Sequence, residues 1–151
     1  MGSAAKKGLL GAATAAGVIC LVAGASADSI GKDDVNIHSK PSLQSKVTFK
    51  APLGYPIEIE KQQGDWVYVK DWQSETGWVY KPLVSDVDTA VILVDKANLR
   101  NGPGLDHQVT GEAEEGEIYK ILGKTGDWLH LGFYKSGDDA GWVRSDLVFG
   151  S

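Results

Sequence analysis

The sequence predicts an all-β chain made of two copies of one small unit, and three observations carry this prediction. The chain aligns with itself without a gap at an offset of 62 residues, from Val35/Ala97 to Ser74/Ser136. Identities on that register include Asn36/Asn98, Pro41/Pro103, Leu43/Leu105, Gly54/Gly116, Gly64/Gly126, Asp65/Asp127 and Trp66/Trp128; past a hairpin tip the offset becomes 64, matching Gly77-Trp78-Val79 to Gly141-Trp142-Val143 and Leu83-Val84 to Leu147-Val148. Self-similarity at a fixed period is the mark of a duplicated structural unit. The second observation is a period of two: Ile57 and Ile59 alternate with Glu58 and Glu60, and Tyr119 and Ile121 flank Lys120, as in strands with one buried face. Third, no segment after Asp28 carries a helical apolar stripe of useful length.

The elements follow in order. Lys6 and Lys7, an Ala/Gly-diluted apolar run from Leu9 to Val22, and Ala25-Ser26-Ala27 form the sequence of features of a secretory signal peptide. Residues 1–27 are therefore expected to be removed, leaving an exported, periplasmic or extracellular chain with no permanent membrane span. The weak hydrophobicity of the run disfavours a retained anchor, and Ile19 before Cys20 disfavours lipidation. Cleavage would remove Cys20, the sole cysteine, so the mature chain would have no disulfide and no thiol nucleophile.

The first unit is assigned to 28–84 and the second to 91–151, with 85–90 as a short polar linker that allows little independent tumbling. Val35 and Ile37, like Ala97 and Leu99, open each unit, and a polar loop turns at Pro41 or at Pro103-Gly104. Gly64-Asp65 and Gly126-Asp127 read as tight turns. Beyond them, Val67 and Val69 face the core while Trp66, Tyr68 and Lys70 take the opposite face; Trp128, His130 and Gly132 follow suit. Gln73–Thr76 and Lys135–Ala140 are hairpin tips, and Tyr80-Lys81-Pro82 and Arg144-Ser145-Asp146 form a helical turn before a last short strand. Burying a large side chain contributes on the order of 1.5–3 kcal/mol, so the repeated Trp pairs suggest two small cores, each built on its own pair. The run Val91–Val94 has no counterpart in the first copy. It is read as a longer first strand at the junction of the units, in preference to an edge that pairs with a partner strand.

Charge restricts the partners. The whole chain carries −5; residues 28–84 hold 8 acids and 7 bases, and residues 85–151 hold 12 acids and 6 bases. An acidic second half without a basic stripe argues against nucleic acid and against polyanions held mainly by charge.

The frame resembles the bacterial SH3 domain, whose usual pattern is an Asn-Leu-Arg-x-Gly-Pro-Gly opening, a Gly-x-Trp strand and a closing Gly-Trp-Val with a following Leu. Asn98-Leu99-Arg100-Asn101-Gly102-Pro103-Gly104 fits the opening in full, while Asn36-Ile37-His38-Ser39-Lys40-Pro41-Ser42 keeps Asn and Pro but lacks both glycines. The resemblance covers nearly all of residues 33–149. It implies two tandem small SH3-like β-barrels, and a non-catalytic exported module of the kind that accompanies wall hydrolases and binds cell-wall peptides.

No catalytic, metal or cofactor site is expected. His38 and His130 do not correspond between copies, and the acidic pair Asp138-Asp139 and the dipeptide Asp106-His107 lack recognised ligand spacing. By the resemblance to eukaryotic SH3 domains, where the first Trp of the matching strand lines the ligand groove, Trp66 and Trp128 are groove candidates. Tyr68, Trp72 and Tyr80 are placed nearby in one copy, and His130, Tyr134 and Arg144 in the other. Packing of these Trp side chains over the barrel end stands beside that reading, while Trp78 and Trp142 are read as structural. The tyrosines of proline-rich peptide binders are absent from both opening strands, which disfavours such a ligand. The expected partner is peptidoglycan or an envelope peptide; the alternative is a protein–protein adaptor in the cell envelope, its acidic second unit docking a basic partner.

Overall fold

The computed structural model describes residues 19–150, with side chains from Asp28 onward. The basic start and most of the apolar run of the expected signal peptide lie outside the described residues. The first unit comprises β1 (Ile19–Ile30), β2 (Val35–His38), β3 (Val47–Ala51), β4 (Pro56–Gln63), β5 (Trp66–Lys70), β6 (Thr76–Tyr80), a 3-10 turn (Lys81–Leu83) and β7 (Val84–Ser85). The second comprises β8 (Thr89–Ile92), β9 (Lys96–Arg100), β10 (Val109–Glu114), β11 (Ile118–Thr125), β12 (Trp128–Phe133), β13 (Asp139–Arg144), a 3-10 turn (Ser145–Leu147) and β14 (Val148–Phe149). Each unit is a seven-stranded antiparallel sheet, ordered β3-β2-β6-β5-β4-β1-β7 and β10-β9-β13-β12-β11-β8-β14, the same order position for position.

The turns explain why the copies superpose in register. Gln63 pairs with Trp66 and Thr125 with Trp128, so Gly64-Asp65 and Gly126-Asp127 are two-residue hairpin loops. The glycines sit at φ of 59° and 58° and the aspartates are not left-handed, the arrangement of a type II′ turn with Gly first. Both β4 and β11 then shift register at the same place, between Ile59 and Lys61 and between Ile121 and Gly123.

The cores correct the sequence reading. One is formed around Ile30, Ile37, Ile57, Val67, Val69 and Val79, the other around Ile92, Leu99, Leu129, Leu131 and Val143; neither contains a tryptophan. Strand parity is the reason. Val67 and Val79 point inward, so Trp66 and Trp78 on the alternate positions point outward. Trp78 is nevertheless only 8% exposed. It is covered by its cross-strand partner Tyr68, with ring centroids 5.2 Å apart, and by Lys61, whose Nζ lies 5.7 Å from the Trp78 ring. The space inside each sheet is filled mainly by aliphatic side chains, joined by Tyr119 in the second; the indoles cover the outside.

The run at Val91 is not an open edge. Strand β8 is buried at all four residues and lies between β11 and β14. Its counterpart in the first unit is the end of β1. Ile30 N–H donates to Tyr55 O as Ile92 N–H does to Glu117 O, and Gly31 N–H to Leu83 O as Leu93 N–H does to Leu147 O. The expected cleavage point falls within β1. Asp28 and Ser29 pair with Ile57 and Pro56, and Ile30 with Val84, while the backbone of residues 19–27 continues along β4. The second unit has no such extension, since β11 pairs with β8 only over Ile118–Lys120.

Strands β7 and β8 are separated by Asp86–Asp88 alone, and this connection is tied on both sides. Ser29 Oγ donates to Val87 O at 2.7 Å, and Thr89 Oγ1, 1% exposed, donates to Gly54 O at 2.6 Å. The Tyr134 ring closes over Gly54, where a Cβ would lie 2.9 Å from Tyr134 Cε1, so side chains of the second unit pack directly on the first.

Candidate binding grooves

Each unit presents one groove at the same place. In the first, of about 310 Å3, Asn36 and His38 come from β2, Leu43 from the β2–β3 loop, Trp66 from the start of β5, Tyr80 from the end of β6 and Leu83 from the 3-10 turn. The second, of about 220 Å3, is lined at the matching positions by Asn98, Arg100, Leu105, Trp128, Arg144 and Leu147. It continues across Trp128 into a depression of about 460 Å3 bordered by Asp127, Ser145 and Asp146.

The loop that supplies Leu43 or Leu105 is held by the same device in both units. His38 Nδ1 lies 3.2 Å from Ser45 O; at the equivalent position, Arg100 Nη1 donates to Leu105 O (3.1 Å) and His107 O (2.9 Å). Backbone bonds match residue for residue: Ser39 N–H to Lys46 O and Asn101 N–H to Gln108 O, Ser45 N–H to Ser42 O and His107 N–H to Gly104 O. The two opening loops therefore share one hydrogen-bond pattern although the first lacks both glycines. In the second loop a Cβ on Gly102 would collide with the His107 ring. The first loop has Lys40 and the smaller Ser45 at those two positions, so the same backbone is compatible with a side chain there.

The groove walls differ. Trp66 is half-buried, its ring 5.6 Å from Tyr80 and 5.5 Å edge-on from His38, which makes an aromatic slot. Arg144 replaces Tyr80 and is exposed, donating from Nε and Nη2 to Asp146 at 2.9 and 2.6 Å. That pair holds the Asp146 carboxyl below the usual carboxylate range and raises the guanidinium further.

Of the eight residues singled out in the sequence, Trp66, Tyr80, Trp128 and Arg144 line the grooves. The other four do not line them. Tyr68 faces Trp78, with Lys61 Nζ 4.7 Å from its centroid. His130 stacks on Trp142 (4.7 Å, 6°) and contacts Asp139 Oδ1 at 2.6 Å. Tyr134 packs at the junction on Gly54 beneath Lys120. Trp72 sits on the hairpin tip that Asp71 organises by accepting from Gln73 N–H and Glu75 N–H. Adjacency along a strand misled here: residues two apart share a face, but the hairpin pairs Trp66 with Tyr80 and Tyr68 with Trp78. The sequence reading missed Asn36/Asn98, Leu43/Leu105, Leu83/Leu147 and the clamp His38/Arg100 as groove residues. One signal was available. Leu43 and Leu105 are repeated apolar residues in polar loops, and they are 70% and 68% exposed.

Two β units with one strand order, each with a groove beside its first tryptophan, define a tandem repeat of one small all-β fold. The family model described as "Bacterial SH3 domain" matches residues 33–85 and 95–149, and the chain belongs to that family. Over 130 residues the chain is 28% identical to the Bacillus subtilis (strain 168) protein named "Putative N-acetylmuramoyl-L-alanine amidase YrvJ", covering 79% of this chain and 24% of that protein. Among solved structures, it is similar to NlpC2 from Trichomonas vaginalis (15% identity, TM-score 0.36, 80% of this chain and 46% of that one). It is also similar to an NlpC/P60 family protein from Bacillus cereus ATCC 10987 (12% identity, TM-score 0.38, 80% and 55%). At that level the structural similarities add nothing to the assignment. The chain spans about a quarter of the curated relative and about half of these solved chains.

Proposed function

We propose that this chain is a non-catalytic, exported binding module that holds peptidoglycan or an envelope peptide in its two grooves. The observation that carries the reading is the repeated constellation of an indole, an exposed leucine and an asparagine, Trp66/Leu43/Asn36 and Trp128/Leu105/Asn98, at one place in both units. An aromatic face with an adjacent apolar residue and one amide suits a short peptide that offers methyl groups and backbone polar groups. A relative named as an amidase that shares the tandem supports a wall ligand. Two weak sites on one chain would add through effective concentration.

Retention of the protein on purified sacculi tests this. The double variant Trp66→Ala/Trp128→Ala, shown to be folded by its thermal transition, should lose retention. Wild-type protein that does not sediment with sacculi, or a folded double variant that sediments equally, refutes it.

A second reading, an envelope protein adaptor, is favoured by one observation: the excess of 12 acids over 6 bases in residues 85–151. It requires a basic protein partner whose co-purification weakens with salt. Crosslinking in cells that traps no protein rules it out.

A further inference from the structure

The two grooves are alike in build but differ in charge, and the difference bears on what the second one takes; the inference rests on the peptide-binding reading above. Where the first groove has Asp34, His38 and Tyr80, the second has Lys96, Arg100 and Arg144. Residues 85–151 hold 6 bases against 12 acids, yet three of the six bases line this one groove. The chain contains two arginines in all, and both are here. Lys96 is paired with Glu112 at 3.8 Å and Arg144 with Asp146 at 2.6 Å, so the unspent positive charge of the groove lies chiefly on Arg100, and a cation held against the prevailing sign of a domain draws an anion. Arginine offers a planar fork that matches a carboxylate.

The forks are partly fixed and partly unspent. Arg100 is anchored through Nη1 by the Leu105 and His107 carbonyls, which sets the plane of its guanidinium; its Nε–Nη2 edge is engaged by no described residue. Arg144 is oriented by Asp146 through Nε and Nη2, leaving Nη1 unengaged among the described residues. Asp127 and Asp146 border the depression that continues past Trp128, giving that side of the indole an acidic rim.

We propose that the second groove takes the carboxylate of a peptide, with Arg100 and Arg144 as donors and with Trp128 and Leu105 packing the adjoining apolar part. The first groove, where Asp33 and Asp34 offset the single cation Lys32 and an aromatic slot stands in place of the arginines, has no such preference. The tandem therefore reads two different features of its ligand.

The test is an NMR titration of the full-length, 15N-labelled protein, following the assigned indole signals of Trp66 and Trp128. The probes are N-acetyl-alanyl-alanine as the free acid and as its C-terminal amide. The free acid should shift Trp128 at about tenfold lower concentration than the amide, a difference of about 1.4 kcal/mol, and Trp66 should respond to the two alike. Arg144→Gln should abolish most of the acid preference while the spectrum stays dispersed. Arg144→Lys, which keeps the charge but not the Nη1 donor that Asp146 orients, should give an intermediate preference and serves if the Gln variant does not fold. Equal response of Trp128 to acid and amide, no response to either, an equal acid preference at Trp66, or a preference unchanged in the folded variants overturns the proposal. Sacculus retention separates the two readings. Retention without acid preference leaves the groove reading standing and removes this one, whereas acid preference without retention removes the wall ligand instead.

Discussion

Substitution of Gly77 by Ala should destabilise the first unit through crowding, although the backbone there is not in the left-handed region. The glycine lies on the inward face of β6 where that strand crosses β2. A Cβ at this position would sit 2.6 Å from Ile37 Cγ2, 2.9 Å from His38 O and 3.1 Å from Thr48 Oγ1. Ile37 is fully buried and His38 O is main chain, so neither gives way cheaply. Overpacking of this kind, which drives Ile37 off its rotamer, costs about 1–3 kcal/mol. The better strand propensity of Ala returns about 0.5–1 kcal/mol. The expected net loss is about 1 kcal/mol. The control is Gly64→Ala, where φ is +59° but nothing lies within 4 Å of the new Cβ; left-handed strain alone costs about 1–2 kcal/mol. Urea unfolding followed by tryptophan fluorescence measures both. A Gly77→Ala protein within about 0.5 kcal/mol of wild type, the range of an ordinary surface change, would refute the crossing argument. Because β2 also carries His38, the variant should disturb the first groove and leave Trp128 unmoved.

Three further outcomes follow from the packing. Trp78→Ala should cost about 3–5 kcal/mol of stability, as for other large buried side chains, while Trp66→Ala, half-buried at the groove, should cost less than half of that; chemical denaturation of both variants checks the order. Thr89→Val removes a buried hydroxyl donor and leaves Gly54 O unpaired, so it should lose about 1–3 kcal/mol, with Thr89→Ser restoring most of it in calorimetry. Burial, helped by a 3.0 Å hydrogen bond to Glu117, pushes the Tyr119 phenol from 10.0 up to about 12. A group raised in the folded state contributes its stability fully below its unfolded value and loses it as pH climbs to the folded one. Stability should therefore decline from pH 10 to about 12 through this residue, and Tyr119→Phe should flatten that limb of a melting-temperature profile.

Much of the fold was legible because its determinants are local and repeated. The Gly-Asp turns, the period of two in β4 and β11 and the self-alignment at 62 and 64 residues determine the all-β class and the equivalence of the two units. The face of Trp66 followed from parity alone, since residue 67 is a valine that must point inward.

What lay across strands was not legible. The repeated Trp pairs suggest a core built on each pair, but the enclosed volume takes mainly aliphatic chains and leaves the second indole of each pair outside as well, where Tyr68 and Lys61 cover Trp78 and His130 stacks on Trp142. The eight candidate residues divided between groove, sheet face, hairpin tip and junction because cross-strand pairing, not chain proximity, decides which side chains meet. The sequence by itself determined that there are two all-β units with an outward-facing indole at each repeated turn. The tertiary structure alone decided that two arginines, 44 positions apart in the chain, share one groove, because the contacts that bring β9 and β13 together depend on sheet order rather than on any local pattern.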